Sequence, residues 1–415
     1  MKHSLASLLL AGAALLAGLL ATPARAATTI LHSFTGGASD GAYPFGSLTL
    51  AGSTLYGMNW KGGSFDQGTL FKVNTDGTGY SLLHNFINTQ TDGSTPYGSL
   101  TLSGSKLYAM TQYGGVSNSG TIFSMNTDGS GFGLVHSFAN GVNDGAIPLG
   151  SLTLFGSKLY GATQYGGVSN GGTLFSVNTD GTGFSLLHSF TGYPSDGAWP
   201  YGSLTLSGSK LFGMTNTGGG SNGGGVIFSM NTDGTGYSLL HTFAGGSDGA
   251  SPYGSLTLSG SKLFGMDWQG GSAFGGVIFS MNTDGTGFTR LHDFLGGAND
   301  GANPTGSLTL FGSQLYGMTG AGGSNGTGTI FTLNTDGSGF RLLESFTSTP
   351  SAAIPGRGDV TLSADGSTLY GMTAQGGTAD KGTVFSQNIA TPEPGTFALL
   401  GLGGLLLSAR RRGRI

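Results

Sequence analysis

The sequence has no cysteine and few charged residues, and both shortages exclude kinds of site. Without cysteine there are no disulfides, no thiol chemistry and no thiolate metal ligands. Charged residues make up only 9% of the 415 residues, and residues 27–390 hold 10 Lys and Arg against 19 Asp and Glu. Because phosphate contacts need a basic surface, this acidic body argues against nucleic acid as a partner.

Glycine, by contrast, is abundant. There are 83 glycines, a level that approaches that of low-complexity chains. No Gly-X-Y period exists, which excludes a collagen helix. Apolar residues still make up 37% of the chain and recur in ordered blocks, so the sequence predicts a buried core.

The N-terminal residues 1–26 have the parts of a secretory signal peptide. Lys2 is followed by an apolar run and then by Ala24-Arg25-Ala26, a small-residue cleavage site. The mature chain is therefore predicted to begin at Ala27, outside the cytoplasm. A membrane-retained anchor is the alternative interpretation.

The C-terminal residues 391–415 form a second, three-part signal. An apolar run over 397–407 is short for a full span of about 20 residues, and the arginines that follow it are expected on the cytoplasmic side. The signal residues are Pro392, Glu393, Pro394, Arg410, Arg411 and Arg412. This tail resembles the PEP-CTERM sorting signal of Gram-negative bacteria. The resemblance implies processing near Pro-Glu-Pro by an exosortase-type enzyme and a short transmembrane segment, with the product anchored in the envelope or released.

Between the two signals one unit recurs. The prolines at 44, 96, 148, 200, 252 and 304 are spaced by 52 residues every time. Six histidines keep nearly the same phase, and Glu344 stands in the seventh place. They are His32, His84, His136, His188, His241 and His292. A disordered chain would not keep phase over 300 residues, so we predict a packed repeat over residues 27–390.

Each unit contains four β-like runs. In one copy they are Gly98–Leu102, Lys106–Met110, Gly120–Met125 and Phe132–Phe138. Four short strands in about 52 residues are typical of a propeller blade. Each run occurs seven times, but the first copy of the fourth run, residues 30–34, precedes all the others. We therefore predict an all-β, seven-bladed β-propeller whose N-terminal strand completes the last blade, which removes two open sheet edges.

The repeat phrases and the tail together resemble the GloVer tandem-repeat, choice-of-anchor proteins of bacterial envelopes. The resemblance covers roughly residues 28–389. It implies an exported surface protein and supplies no catalytic residues.

The repeats differ among themselves mainly in two long loops. The short turns "SGS" and "NTDGTG" hardly vary, whereas the loops around each proline and between the second and third strands do. Variation on a repeated scaffold favours ligand recognition, and exposed aromatics beside polar groups suit sugar rings. The hypothetical ligand-binding residues are Tyr43, Trp60, Tyr113, Tyr165, Trp199, Tyr201 and Trp268. The alternative is that these aromatics only pack over neighbouring blades.

The repeated polar residues are interpreted as structural. An Asp-Gly step favours a tight hairpin between the third and fourth strands, and an EF-hand loop would need acidic spacings that are missing. The turn residues are Asp76, Asp128, Asp180, Asp233, Asp284 and Asp336. Each His is predicted to be partly buried and hydrogen-bonded to the Asp of the following long loop, such as Asp144 for His136.

The sequence offers no catalytic constellation, because nearly every polar group is repeated six or seven times. No cofactor or metal is expected. We predict a non-enzymatic propeller that binds or scaffolds matrix polysaccharide or an envelope protein through its long loops. The alternatives are a glycan hydrolase or lyase on the same fold, and a purely architectural surface protein.

Overall fold

The computed structural model describes residues 28–347, 352–355 and 358–389. Among these residues all regular structure is β-strand except one turn of 3₁₀ helix at Gly246–Asp248. The strands form seven antiparallel sheets arranged as blades around an axis. The predicted seven-bladed propeller is confirmed. The predicted signal peptide and sorting tail lie outside the described residues.

Strands are numbered first to fourth from the axis outward, and blades 1 to 7 along the chain. The first strands are Thr49–Ala51, Thr101–Ser103, Thr153–Phe155, Thr205–Ser207, Thr257–Ser259, Thr309–Phe311 and Thr361–Leu362. The second strands are Thr54–Asn59, Lys106–Gly114, Lys158–Thr163, Lys210–Thr215, Lys262–Asp267, Gln314–Thr319 and Thr368–Gly376.

The third strands are Thr69–Asn74, Thr121–Asn126, Thr173–Asn178, Val226–Asn231, Val277–Asn282, Thr329–Asn334 and Thr383–Asn388. The fourth strands are Ser81–Asn85, Gly133–Ser137, Ser185–Ser189, Ser238–Thr242, Thr289–Asp293, Arg341–Ser345 and, for blade 7, Thr29–Ser33.

The ring is closed by the two ends of the described chain. The N-terminal strand Thr29–Ser33 pairs antiparallel with the third strand of blade 7, with Thr29 opposite Ser386 and Ser33 opposite Thr383. Blade 7 thereby gains its fourth strand from the beginning of the chain, as predicted. The strand pairing and the apolar packing of blade 7 against blade 1 hold the two ends together without a covalent bond.

The core lies between the blades rather than within one of them. Seven apolar clusters each combine side chains of two adjacent blades, and one of them joins blade 7 to blade 1. Each cluster contains the Phe of a third strand, such as Phe71. A Cβ on Gly57, in the second strand of the same blade, would lie 2.5 Å from the Phe71 ring. Glycine at this position therefore makes room for the ring.

Every fourth strand carries a β-bulge at the same place. In blade 2, Ile122 faces His136 and Phe123 faces Leu134, so Val135 has no partner across the ladder. The carbonyl oxygen of Val135 lies 2.9 Å from where a Cβ on Gly181 would be, in the short turn of blade 3. The bulge thus bends the outermost strand towards the next blade's turn.

The first strands are shorter than predicted, because the residues before them connect blades instead of pairing within one. Ser47 N–H donates to Ser99 Oγ at 2.7 Å, and the same bond repeats around the axis. In blade 7 the serine is replaced by Asp359, whose Oδ1 accepts from Ser307 N–H and whose N–H donates to Ser47 Oγ at 2.7 Å. The predicted strand Gly98–Leu102 accordingly begins only at Thr101.

The two ends of the blades form two faces. Turns between first and second strands and between third and fourth strands lie on one side, which we call the short-turn face. The connections between second and third strands, and those from each fourth strand to the next blade, form the long-loop face.

Candidate functional site

The long loops have an ordered backbone. In blade 1, Gly41–Ala42 pairs with Lys61–Gly62, and the same two-residue ladder occurs in three other blades. In blade 2 the ladder is longer, because Gly93–Pro96 pairs with the end of the second strand. The loop side chains therefore stand on a fixed support.

The residue before each repeated proline has a strained backbone. All six have φ between 50° and 57°, the left-handed region that L-residues rarely adopt, although none is glycine. They are Tyr43, Thr95, Ile147, Trp199, Ser251 and Asn303. Each N–H donates to a carbonyl of the preceding blade, for example Trp199 N–H to Gly171 O at 2.7 Å. This cross-blade bond helps to hold the strained backbone while the side chain varies freely between blades.

The predicted ligand-binding aromatics fall into separate groups on this face. Trp60 lies edge-on to Phe45, with ring centroids 5.7 Å apart, and Lys61 Nζ lies 5.0 Å from the Trp60 ring. The ring centroids of Trp268 and Tyr253 are 5.5 Å apart, and those of Tyr253 and Tyr201 are 5.0 Å apart. The Tyr201–Tyr253 contact joins adjacent blades, whereas Trp60 and Trp268 contact rings of their own repeat.

The other predicted aromatics lie further out. Tyr165 and Trp199 form an edge-to-face pair at 6.3 Å, and Trp199 remains 39% exposed. Tyr43 accepts a hydrogen bond from Lys381 Nζ at 2.5 Å. Tyr113 is exposed on the extended second strand of blade 2. The seven residues share one face but do not form a single pocket.

Near the axis, the residues that follow the prolines surround a narrow mouth. Phe45, Tyr97, Leu149, Tyr201 and Tyr253 line a cavity of about 50 Å³ above the ring of glycines and serines. From the short-turn face a wider channel of about 790 Å³ reaches the same ring. Asp359 lines both cavities. Burial raises the pKa of this carboxyl, and the hydrogen bonds from Ser307 and Ser47 offset only part of that rise.

Exposed apolar side chains are concentrated on the long-loop face. Of the large apolar side chains exposed in the described residues, only Ile30, Phe155 and Phe311 lie elsewhere. Those in the long loops are Phe65, Ile87, Tyr113, Val116, Val142, Val168, Tyr193, Trp199, Phe274 and Leu295. A face with this much exposed apolar surface is typical of an interaction site.

The histidines tie neighbouring blades together at their outer edges. Each His Nε2 lies 3.0–3.3 Å from the Asp of the following long loop, as predicted. Each imidazole also stacks on the aromatic ring that follows the short turn of the next blade; the His32 and Tyr80 centroids are 3.6 Å apart. Sequence reasoning missed this ring, although an aromatic residue follows each of the six "NTDG" turns.

Two of these aspartates receive a further bond from the stacked ring. Tyr80 OH donates to Asp40 Oδ1, and Tyr237 OH to Asp196 Oδ1, both at 2.6 Å. Burial alone would raise the pKa of Asp40 and Asp196, but the hydrogen bonds from His, Tyr and backbone N–H groups outweigh it and lower both to about 2. These carboxylates are fixed acceptors inside the scaffold.

Between blades 6 and 7 both the His and its stacked aromatic ring are replaced. Glu344 takes the place of His, and its Oε2 accepts from Thr28 Oγ1 at 3.0 Å, where other blades have Tyr or Phe. A carboxylate cannot stack as an imidazole does, so a small hydroxyl partner replaces the ring. The joint replacement supports a structural role for the repeated His.

The "NTDG" turns are closed by their own side chains. Asp76 Oδ1 accepts from Thr78 N–H at 2.9 Å and from Thr78 Oγ1 at 2.7 Å. The Thr78 side-chain and backbone bonds lower the pKa of Asp76. The other five copies repeat this geometry. Each turn is a side-chain-capped hairpin, in agreement with the structural interpretation.

One carboxyl breaks the pattern of the second strands. Asp267 is fully buried opposite Val277, and neither carboxylate oxygen has a hydrogen-bond partner in the described structure. Four other blades place a Thr–Thr hydroxyl pair at this level, as Thr111 and Thr121 do at 2.7 Å. Burial raises the pKa of Asp267 well above its usual range, and the Asp248 carboxylate adds to the rise.

Within the described ranges, no group of three or more His, Asp or Glu side chains could hold a metal ion. No helix in this part of the chain is long and apolar enough to cross a membrane. The predicted short transmembrane segment in 391–415 lies outside it and stays a prediction.

Comparison with protein families gives two matches. The Gloeobacter/Verrucomicrobia repeat matches residues 20–224 and 209–400, nearly the whole chain. The PEP-CTERM protein-sorting motif matches residues 390–412. This motif indicates export, association with the cell envelope and processing by exosortase-type machinery. No curated protein matches the sequence.

Similar solved structures support the fold. An oligogalacturonate lyase in complex with manganese is 13% identical, with a TM-score of 0.54 over 89% of this chain and 94% of that one. The oligogalacturonate lyase of Vibrio parahaemolyticus is 10% identical, with a TM-score of 0.52 over 90% and 95%. A puromycin-hydrolyzing peptidase of Mycobacterium tuberculosis is 12% identical, with a TM-score of 0.52 over 88% and 56%. At such identities the likeness concerns the fold alone.

Proposed function

Because the chain belongs to the Gloeobacter/Verrucomicrobia repeat family and carries a PEP-CTERM motif, we propose a non-enzymatic binding protein of the cell envelope. Its long-loop face binds matrix polysaccharide or an envelope protein. The six pre-proline residues carry this proposal, because strained backbone tends to occur at functional sites. A purely structural turn would more economically use glycine at these positions.

The distribution of side chains supports the same face. The exposed apolar residues of the long loops lie beside Asn, Gln and Ser side chains, a mixture that suits flat apolar sugar faces edged by hydroxyls. The acidic body would repel strongly anionic ligands. Neutral or weakly charged saccharides are therefore favoured.

The test is binding of the full-length protein to a glycan array. A variant with Trp60, Trp199 and Trp268 all changed to alanine should lose at least about tenfold in affinity, as expected when aromatic anchors are removed. Unchanged binding by this variant would remove the aromatic face from the proposal. An envelope-protein ligand is tested by the same variant in a co-purification experiment.

An enzymatic function is tested separately. The purified protein is incubated with polygalacturonate and neutral matrix polysaccharides, with and without added divalent cations, and new reducing ends or unsaturated products are measured. Turnover would contradict the non-enzymatic proposal.

A further inference from the structure

Building on the proposed function, we propose that the cleft between blades 2 and 3 on the long-loop face is a subsite for an uncharged sugar residue. This cleft encloses about 340 Å³ and is lined by Asn118, Ser119, Asn140, Ala146, Ile147, Tyr165 and Asn170. Its size lies within the range of small-ligand sites, about 300–1,000 Å³. One aromatic ring and three amides are the groups that a sugar needs for stacking and for hydroxyl bonding.

Two of the three amides of the cleft are fixed in orientation. Asn118 Oδ1 accepts from Gly114 N–H, and Asn170 Oδ1 from Gly166 N–H, each at 2.9 Å. In the described part of the chain no acceptor is bonded to their Nδ2 groups, and no partner to the side chain of Asn140. The cleft thus presents oriented donors to a ligand at little cost in side-chain entropy.

The floor of the cleft is fixed as well. Ile147 has φ 53° and its N–H donates to Ser119 O at 2.8 Å, so this strained residue bridges the two blades under the cleft. On the far side Tyr165 contacts Trp199, whose ring is 39% exposed. A second aromatic ring therefore lies next to the ring of the cleft.

The equivalent positions between blades 7 and 1 differ in charge from those of the blade 2–3 cleft. There the repeat places Asp380, Lys381, Lys61 and Asp66 where the other has Asn118, Ser119, Tyr165 and Asn170. The carboxylates keep the same loop bond, as in Asp66 Oδ1 accepting from Gly62 N–H at 2.9 Å. The blade 2–3 cleft has no charged lining residue. A uronate carboxylate would lie there without a cationic partner, so the site favours neutral sugars over acidic ones.

The experiment measures binding of neutral and uronic-acid oligosaccharides to the full-length protein by calorimetry or on an array. Tyr165→Ala should weaken binding of the neutral ligand at least about tenfold. Its control is Phe155→Ala, which removes an exposed ring from the short-turn side of the same blade and should leave the affinity within about twofold. Asn140→Asp should also weaken binding, whereas Asn88→Asp, with the same φ of 54° one blade earlier, should not. Melting curves verify that all four variants fold.

The outcomes separate the two proposals. Loss of neutral-sugar binding in Tyr165→Ala but not in Phe155→Ala supports the cleft. If Tyr165→Ala binds normally while a Trp60→Ala, Trp268→Ala variant does not, the long-loop face binds saccharide elsewhere and the cleft proposal is wrong. Stronger binding of uronic acids than of neutral sugars overturns the selectivity. A wild-type protein that binds no saccharide overturns both the cleft and the polysaccharide part of the proposed function.

Discussion

The short-turn face and the long-loop face are made by the same repeat, yet they differ in what the repeat keeps constant. On the short-turn face the six "NTDG" turns have the same hydrogen bonds and nearly the same residues. On the long-loop face the backbone is equally regular, but the six strained positions carry Tyr, Thr, Ile, Trp, Ser and Asn. The constant side chains of the short-turn face serve to build the blade, whereas the changing side chains of the long-loop face are those to which we assign the proposed recognition.

The largest effect on stability is expected at the His–Asp bonds, which join each fourth strand to the long loop that follows it. Asp144→Ala removes the acceptor of His136 Nε2, Ala139 N–H and Gly145 N–H. We expect a loss of about 2–3 kcal/mol in the free energy of unfolding, because three donors, including the N–H of the buried Gly145, lose their partner. Urea denaturation measures it. An unchanged midpoint would contradict the structural role of the His–Asp pairs.

A gain in stability is expected from Asp267→Thr. Blade 4 shows the replacement in place: Thr215 lies at the same level, opposite Val226, and its Oγ1 donates to Thr217 O at 2.9 Å. Removing an unpartnered buried carboxyl should stabilise the protein by about 1–3 kcal/mol. The gain should be larger at pH 7 than at pH 4. The pKa of Asp267 is higher in the folded than in the unfolded protein, so its carboxyl destabilises the fold more as the pH rises. Thr215→Asp is the reverse control and should destabilise blade 4.

Acid should destabilise the connections between blades that Asp40 and Asp196 make. Asp40 and Asp196 have pKa values near 2 in the folded protein against 3.8 unfolded, so their stabilisation is present above about pH 4 and is lost as pH falls towards 2. Thermal melting between pH 5 and pH 2 should show this loss. Asp196→Asn should flatten the dependence, and an equally steep curve in that variant would assign the loss to other carboxylates.

A smaller change in stability with a large change in binding is expected at Trp199. Trp199→Gly removes an aromatic ring but also relieves a left-handed backbone, a strain of about 1–2 kcal/mol for an L-residue. The melting temperature should stay within a few degrees while saccharide affinity falls. Trp199→Phe is the control that keeps a ring. A large drop in melting temperature would show that Trp199 serves packing rather than recognition.

The smallest effect is expected on the short-turn face. Asp128→Ala loses bonds to Ser130 N–H and Oγ in an exposed turn. It should lower the melting temperature less than Asp144→Ala does and leave saccharide binding unchanged. Altered binding in this variant would break the division of roles between the two faces.

The fold could be read from the sequence because a fixed period of 52 residues shows which segments are equivalent. Ring closure and the His–Asp bonds followed from counting copies and from short separations along the chain. The stacking of His32 on Tyr80 could not be predicted in this way, because the two rings belong to adjacent repeats and are far apart in the sequence.

The candidate site could be predicted only in part from the sequence. The variable aromatics were identified, but not their division into separate groups on the face. A left-handed Ile147 before Pro148 contradicts the usual preference for an extended backbone before proline, so no local rule predicts it. It depends on a hydrogen bond from another blade, which only the assembled ring supplies.

The way the ring closes also orients the molecule. Thr29, which begins the N-terminal strand, is paired with Ser386, close to the last described residue, Ile389. Both chain ends therefore leave the ring on its short-turn side, and the motif at 390–412 continues from there. A tether attached through that motif would meet the propeller on its short-turn face. The six variable pre-proline residues lie on the opposite, long-loop face, which such a tether would leave uncovered.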